Sequence, residues 1–538
     1  MNAKHMENAI IKLFKDLTNK RTTTMWDKSY LEKLNEYKSK SVAGGGAARI
    51  EKQHSQGKLT ARERLEILFD KGTFREIGAL RVSTSLDLPE SKRIFGDGVV
   101  TGYGKVNGRT VYVASQDFTV SGGSLGSAHA KKICQAMDLA LESMAPFVCI
   151  NDGGGARIEE GVNSLDGYSG IFTRNTLASG IIPQISVILG PCAGGACYSP
   201  AITDFIFMTE KTSQMFITGP GVVKAVTAET VSPEGLGGAG VHSTKSGVSH
   251  FVCKDDKETL EAVRNLLSYL PQSNLEKPPV AEKFKAVDKS KEIEEIVPDN
   301  FKKGYDVRNV IETFADKDSF LEIQKDFARN VVIGFARMDG NVVGIVANQP
   351  NFIAGSLDVD ASDKASRFVR FCDCFNIPIL TLEDVPGYMP GTKQEHNGII
   401  RHGAKLLYAY AEATVPKVTL ILRKAYGGAY IAMNSKNLGA DYVFALPIAQ
   451  LAVMGAEGAV DILHRKEIAA SATPAETRQQ LIADYEEKYL NPYIAAKNGY
   501  IDEVISPDHV RDRLAVAFDY LKNKKKARLW RKHGNIPL

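Results

Sequence analysis

Short apolar runs and amphipathic stretches alternate along this chain, and the same alternation occurs twice. Thr110-Val-Tyr-Val-Ala114 and Val342-Val-Gly-Ile-Val346 are rich in β-branched residues and read as buried strands. Each is followed by a Gly-Ser loop and a stretch with helical spacing, Ala130 to Met144 in one case and Ala361 to Phe375 in the other. Two more apolar strands follow, Pro146 to Ile150 and Pro378 to Leu382, each ending on an acidic turn. Gln184 to Leu189 and Lys417 to Leu422 then run as strands straight into Gly-Gly-Ala turns. Strand, loop and helix repeated in this order predict an α/β architecture, with sheet layers covered by helices.

Aligning the halves in register strengthens the pattern. Asp70-Lys-Gly-Thr-Phe-Arg-Glu-Ile77 is echoed by Asp316-Lys-Asp-Ser-Phe-Leu-Glu-Ile323, and Gly122-Gly-Ser-Leu125 by Ala354-Gly-Ser-Leu357. Asp152-Gly-Gly-Gly155 is echoed by Asp384-Val-Pro-Gly387, and Gly194-Gly-Ala196 by Gly427-Gly-Ala429. These matches keep their order at offsets of 232 to 246 residues, which makes the chain two copies of one domain. Residues 271–300, rich in Pro, Lys and Glu and poor in large apolar residues, read as a linker with the boundary near residue 290. The expected layout is an N-terminal arm over 1–30, a first domain over 31–290 and a second over 291–538.

Composition narrows the function classes. A chain of 538 residues is too long for one core, and 43% apolar with 24% charged residues is ordinary for a soluble protein. The net charge of +4 gives no electrostatic footprint for nucleic acid. No apolar run has the length of a membrane span. Seven cysteines lack paired metal-ligand spacing, since Cys192 and Cys197 are five apart and Cys372 and Cys374 two. They read as reduced buried thiols of a cytoplasmic chain, or of a matrix protein in a eukaryote. The apolar positions Ile10, Ile11, Leu13, Phe14 and Leu17 suggest a docking helix or frayed arm. Glu7, Asp16 and the single early Arg21 make a poor transit peptide. Lys524-Lys-Lys526 is expected to be a solvated helix end.

The candidate chemistry sits in the glycine turns. Ile185 to Ala196 is a strand, a glycine turn and a helix start, and Val418 to Ala429 repeats it. Glycine lets the backbone approach a ligand, and a helix start leaves its first N–H groups unpaired at the positive end of the dipole. Such groups suit a developing oxyanion. A helix packed tightly on its strand through small residues is the bland alternative, and recurrence in corresponding places argues against it. A β-branched residue at Gly195 or Gly428 is expected to push the backbone away and misdirect an N–H.

GPCAGGACYSPAITDF (190–205), ITGPGVVK (217–224), VPGYMPGTKQE (385–395), RKAYGGAYIAM (423–433) and the ending KHGNIPL (532–538) resemble the carboxyltransferase β-subunits of biotin-dependent acyl-CoA carboxylases. The resemblance runs from about residue 40 onward and is strongest to propionyl-CoA carboxylase β chains. It implies two crotonase-like domains and a hexamer built as a trimer of dimers, with the N-domain of one subunit facing the C-domain of another. It assigns Gly194, Gly195 and Ala196 to an oxyanion hole for the acyl-CoA thioester, and Gly427, Gly428 and Ala429 to a second hole for the ureido carbonyl of biotin. By the same resemblance the loop Ser121, Gly122, Gly123, Ser124 walls the thioester and pantetheine. Gly154, Gly155, Ala156 and Arg157 belong to the acyl-CoA side, and Tyr426 and Ile431 to the biotin side. Ile431 stands where related enzymes vary with substrate, many propionyl enzymes having Asp there. The family usually has Asp-Ser-Gly-Gly-Ala-Arg, whereas this chain has Gly153 in place of the serine. Any role of that hydroxyl is lost.

The implied reaction needs both turns. Carboxylation at the α-carbon passes through an enolate, and release of CO₂ from carboxybiotin leaves charge on the ureido group, which can itself take the α-proton. The chain has no Ala-Met-Lys-Met biotin-attachment site and no Walker-type loop, so biotin is expected to arrive on a biotin carboxylase or carrier partner. Related decarboxylase α-subunits of sodium-pumping complexes run the transfer in reverse, and the sequence does not separate the directions or the acetyl-, propionyl- and butyryl-CoA substrates. Two rival motifs remain. Gly122-Gly-Ser-Leu-Gly126 matches the G-x-S-x-G elbow of a serine hydrolase, but the second copy lacks its last glycine and His242 and His250 lie in a Gly/Ser stretch. Gly235-Leu-Gly-Gly-Ala-Gly240 satisfies G-x-G-x-x-G without a preceding strand and reads as a flexible loop. His129, His396 and His402 read as helix or loop residues and not as metal ligands.

Overall fold

The computed structural model describes residues 27–538. The amphipathic segment around Ile10 to Leu17 lies outside the described residues. Two eight-stranded sheets organise the rest. The first contains β1 (Arg75–Ile77), β2 (Val99–Val106), β3 (Arg109–Gln116), β4 (Phe147–Gly153), β5 (Gln184–Ala193), β6 (Phe205–Thr209), β7 (Gln214–Phe216) and β8 (Phe251–Cys253). The second contains β9 (Leu321–Ile323), β10 (Val331–Met338), β11 (Asn341–Asn348), β12 (Ile379–Val385), β13 (Lys417–Tyr426), β14 (Tyr442–Ala445), β15 (Gln450–Ala452) and β16 (Glu503–Val504). The first sheet runs in the order β1-β2-β3-β4-β5-β6-β8 with β7 beside β5; the second runs β9-β10-β11-β12-β13-β14-β16 with β15 beside β13. The second order is the first with every strand replaced by its counterpart. The repeat in the sequence is therefore a repeat of topology.

In each sheet the first three strands are antiparallel and the later ones parallel. Even the irregularities match, because β4 slips register between Asn151 and Gly153 and β12 between Glu383 and Val385. The six apolar runs become β3, β4, β5 and their counterparts. β5 and β13 continue past the apolar run to the glycine turn, since both faces are covered and backbone pairing extends into the polar residues. Helices Ser127–Glu142 and Val162–Ala178 cover the first sheet, and Val359–Cys374 and Ile399–Glu412 the second.

The halves share a core. Phe205 on β6 packs edge-on against Phe371 with ring centroids 4.7 Å apart, and Tyr269 stacks on Phe335 at 6.1 Å. Residues 271–289 cross between the sheets without a strand, pinned where Asn376 Nδ2 donates to the carbonyls of Asn274 (2.8 Å) and Glu276 (2.7 Å). Ile293 and Val297 already pack in the apolar layer of the second sheet.

Two local expectations fail. The Gly235 to Gly240 segment is not a loop but parts of two short helices, Pro233–Gly237 and Ala239–Thr244. Ser232 caps the first by accepting from Gly235 N at 3.0 Å, with Pro233 at the first helical position. Lys524 is not fully solvated, since its Nζ reaches Asp441 Oδ2 at 2.6 Å and Val415 O at 2.9 Å. Among the described residues no helix is long and apolar enough to cross a membrane.

Candidate active site

The two Gly-Gly-Ala turns have one backbone conformation. Ala193 and Tyr426, the last strand residues, sit at φ −117° and −113°. Gly194 and Gly427 then turn left-handed at φ +65° and +60°, and helical geometry begins with Gly195 and Gly428. The first glycine of each turn is obligatory because an L-residue resists that φ. A Cβ on Gly427 would also stand 3.1 Å from Val453 O. The second glycine behaves otherwise. A Cβ on Gly195 would make ordinary contact with the Tyr168 ring at 3.5 Å, and one on Gly428 would meet nothing within 4 Å. The expectation that bulk at Gly195 or Gly428 displaces the backbone is therefore corrected: bulk there fills open space, and the strain belongs to Gly194 and Gly427. Ala196 and Ala429 point into the core.

The loops predicted beside the first turn are laced onto it. Ser121, Gly122 and Gly123 take φ +49°, +61° and +64°, and Ile353, Ala354 and Gly355 repeat this with +40°, +54° and +77°. Gly154 N donates to Gly122 O (3.0 Å), Leu125 N to Gly155 O (2.8 Å) and Arg157 N to Leu125 O (2.9 Å). A Cβ on Gly155 would lie 2.9 Å from Ala193 O, so this loop abuts the start of the Gly-Gly-Ala turn. The segments 121–124, 154–156 and 194–196 thus form one site. The second half laces the same way, with Leu357 N donating to Gly387 O (3.1 Å) and Met389 N to Leu357 O (2.7 Å). A Cβ on Gly153 would be 2.4 Å from Gly123 O. The overlying loop occupies the space that a serine side chain would need.

Arg157 holds this assembly from beneath. It is buried, pairs with Asp97 (2.7 Å) and Glu160 (2.8 Å), and donates to Ser124 O at 3.0 Å. It reaches the site only through the loop it fixes. Ser124 Oγ donates to Ser121 O at 2.8 Å and has no histidine partner. His129 Nδ1 lies 3.0 Å from Asp97 O and His242 Nε2 2.8 Å from Met215 O, so neither is placed as a base for Ser124.

Each site stands on a buried ion pair that local sequence gave no means to find. Asp152 accepts from Lys58 Nζ (2.6 Å) and Arg64 Nη1 (2.9 Å), and Arg64 Nε also bonds Asp256 at 2.8 Å. Asp384 accepts from Arg423 Nε at 2.8 Å, with Lys424 Nζ 4.0 Å away. Arg423 occupies on β13 the place that Gly190 has on β5. A Cβ on Gly190 would fall 1.9 Å from Asp152 Oδ1, so the first half imports its guanidinium from the helix Ala61–Leu68 instead. Charges buried this deeply require such pairing.

On the second side, Tyr426 is buried and its hydroxyl donates to Gln450 Oε1. Ile431 is 46% exposed on the helix leaving the turn, and Tyr198, 49% exposed, holds the same place after the first turn. Sequence reasoning passed over Tyr198, although the offset of the two turns points to it.

The arrangement can offer backbone N–H groups to two separate oxyanions. Comparisons agree in kind. The carboxyl transferase domain family matches residues 52–536. The propionyl-CoA carboxylase carboxyltransferase subunit of Haloferax mediterranei is 54% identical over 517 residues, covering 96% of this chain and all of that one. The methylmalonyl-CoA decarboxylase α-subunit of Propionigenium modestum is 53% identical over 513 residues, covering 94% and 99%. The transcarboxylase 12S crystal structure, a hexamer with methylmalonyl-CoA and methylmalonic acid bound, superimposes with a TM-score of 0.93 at 50% identity, covering 96% of this chain and 99% of that one. With duplicated topology, duplicated turns and these matches together, the chain belongs to the carboxyl transferase family.

Proposed function

We propose that this chain is the carboxyltransferase subunit of a biotin-dependent acyl-CoA carboxylase, moving CO₂ from carboxybiotin to the α-carbon of a short acyl-CoA such as propionyl-CoA. The observation that carries the reading is the pair of conformationally identical left-handed glycine turns at equivalent ends of β5 and β13. The N–H groups opening the first turn, at Gly194 and Gly195, hold the thioester oxygen as the enolate forms. Those at Gly427 and Gly428 hold the charge left on the ureido oxygen when CO₂ departs. Both act as preorganised donors in a protein interior. Ser121 to Ser124 and Gly154 to Ala156 wall the acyl-CoA, with Arg157 positioning them. Tyr426 and Ile431 border the biotin side.

Biotin comes on a carrier or biotin carboxylase subunit, since the chain has no attachment motif of its own. Assembly as a hexamer, with the first domain (31–290) of one copy facing the second (291–538) of another, suits the exposed apolar residues beside the turns. Val222 and Val226 lie on helix Pro220–Thr227, and Ile462 and Leu463 on helix Ala456–Leu463. A cytoplasmic setting fits the buried unpaired thiols. The decarboxylase direction keeps a specific support, because a carboxylase subunit and a decarboxylase subunit are equally similar to this chain.

Two measurements test this. The purified chain should decarboxylate a malonyl-type CoA when free biotin is supplied, without ATP, and should not bind avidin. Co-purification with a biotin carboxylase supports the carboxylase direction, and with a membrane pump the reverse. Avidin binding by the chain alone, or no biotin-dependent decarboxylation, refutes the reading.

A further inference from the structure

β12 ends in two adjacent carboxyl groups with opposite surroundings. Asp384 is held by Arg423. Glu383, on the other face of the strand, is fully buried and neither of its carboxyl oxygens has a hydrogen-bond partner. Ile421 lies beside it in register on β13, and Thr381, two residues earlier on its face, bonds Tyr410 Oη at 2.8 Å. The helices Ile399–Glu412 and Gly427–Ala432 cover this region, and the second of them carries the Gly-Gly-Ala turn.

The titratable neighbours supply no positive charge. Tyr410 comes from the first of these helices and Tyr430 from the second, both phenols pushed up by burial with Glu383 adding to the effect. Cys372, on helix Val359–Cys374, acts on the same Tyr410. On its own strand Asp384 is the one charged group that acts on Glu383. Desolvation first, and the like charge of Asp384 second, hold the Glu383 carboxyl well above the usual carboxylate range. A carboxylate here would have none of the donors that a buried charge requires. The same place on β4 carries Asn151, which donates from Nδ2 to Cys149 O at 3.1 Å and cannot ionise.

We propose that Glu383 is a positioning residue for the second turn, supporting it while uncharged and disabling it once ionised. Ionisation would set a buried negative charge behind N–H groups whose task is to hold another one, and like charges repel strongly in a poorly screened interior. The first turn, backed by Asn151, escapes this effect. The inference rests on the proposed assignment of the second turn to the ureido group.

The test compares the intact chain with Glu383→Gln from neutral to alkaline pH by three readouts. These are the protonated-carboxyl band in the infrared difference spectrum, CO₂ release from free carboxybiotin, and α-proton exchange on acyl-CoA. The expected result is a protonated band at neutral pH that fades on the alkaline side. CO₂ release should fall with it by about tenfold per pH unit beyond the apparent pKa, while proton exchange does not follow. Glu383→Gln should abolish that alkaline limb. The proposal is overturned by any of four results: no protonated band at neutral pH, a band that does not titrate before the chain unfolds, the same limb in Glu383→Gln, or a limb shared equally by both partial reactions. A chain that exchanges α-protons normally but releases no CO₂ at any pH refutes instead the assignment of the second turn.

Discussion

Replacing Gly427 by valine separates the turn's conformation from its chemistry. The residue sits at φ +60°, a geometry that costs an L-residue about 1–2 kcal/mol. Its new Cβ would stand 3.1 Å from Val453 O, a backbone atom that moves only if the chain beyond β15 moves with it. The strain is a fraction of the roughly 5–15 kcal/mol that holds a domain together, so the variant folds. Its cheapest relief is rotation of the peptides around Gly427, which turns an N–H away from the ligand. Losing one such donor costs a factor of about 10² to 10³ in turnover. Gly428→Val is the control, because its φ is not left-handed and its Cβ meets nothing within 4 Å. Its stability should change by no more than about 0.5 kcal/mol, while its side chain obstructs the space over the turn. Both variants should lose CO₂ release from carboxybiotin yet keep acyl-CoA affinity and α-proton exchange, and only Gly427→Val should lose Tm. Gly194→Val and Gly195→Val should show the reverse pattern of partial reactions. Normal CO₂ release by a destabilised Gly427→Val, or identical defects from the two pairs of variants, would show that the turns do not divide the chemistry as proposed.

Arg423→Met should destabilise the chain by about 3–5 kcal/mol, because Asp384 would stay buried with only Lys424 Nζ 4.0 Å away. Adding Asp384→Asn should recover part of that loss, and an equal or lower Tm for the double variant speaks against an unpaired charge as the cause. A serine-directed phosphonate should leave no adduct on Ser124, whose hydroxyl donates to Ser121 O at 2.8 Å; stoichiometric labelling there would establish a nucleophile. Glu383 makes stability depend on pH with a definite sign. Its folded-state pKa is raised, so the native chain retains a proton that the unfolded chain releases above about 4.3. That contribution is complete at lower pH and declines as pH rises toward the folded-state value. Glu383→Gln should therefore gain Tm relative to the wild type at alkaline pH, and a constant difference across the range would contradict the linkage.

Much of this architecture was legible along the chain. The six apolar runs all became strands, and the register of the repeats located both glycine turns, since apolar periodicity and repeat spacing are properties of chain order alone. The segment after Ser232 misled because its glycines suggested a loop, whereas a cap from Ser232 and Pro233 was enough to start a helix. The second glycine of each turn misled for another reason. Which glycine is indispensable depends on φ and on the atoms that a Cβ would meet, and the string Gly-Gly-Ala carries neither.

The sequence by itself determined that there are two copies of one α/β unit and that each ends a buried strand on a glycine turn. Tertiary structure alone decided how the carboxyl groups beneath those turns are treated. Asp152 is neutralised from a helix some 90 residues away, Asp384 by the neighbouring strand, and Glu383 by nothing. The cause is physical: a buried carboxyl group is governed by whatever the closed sheet and its covering helices bring within hydrogen-bond reach. In the first half the place filled by Arg423 is a glycine, so a different part of the chain had to supply the charge.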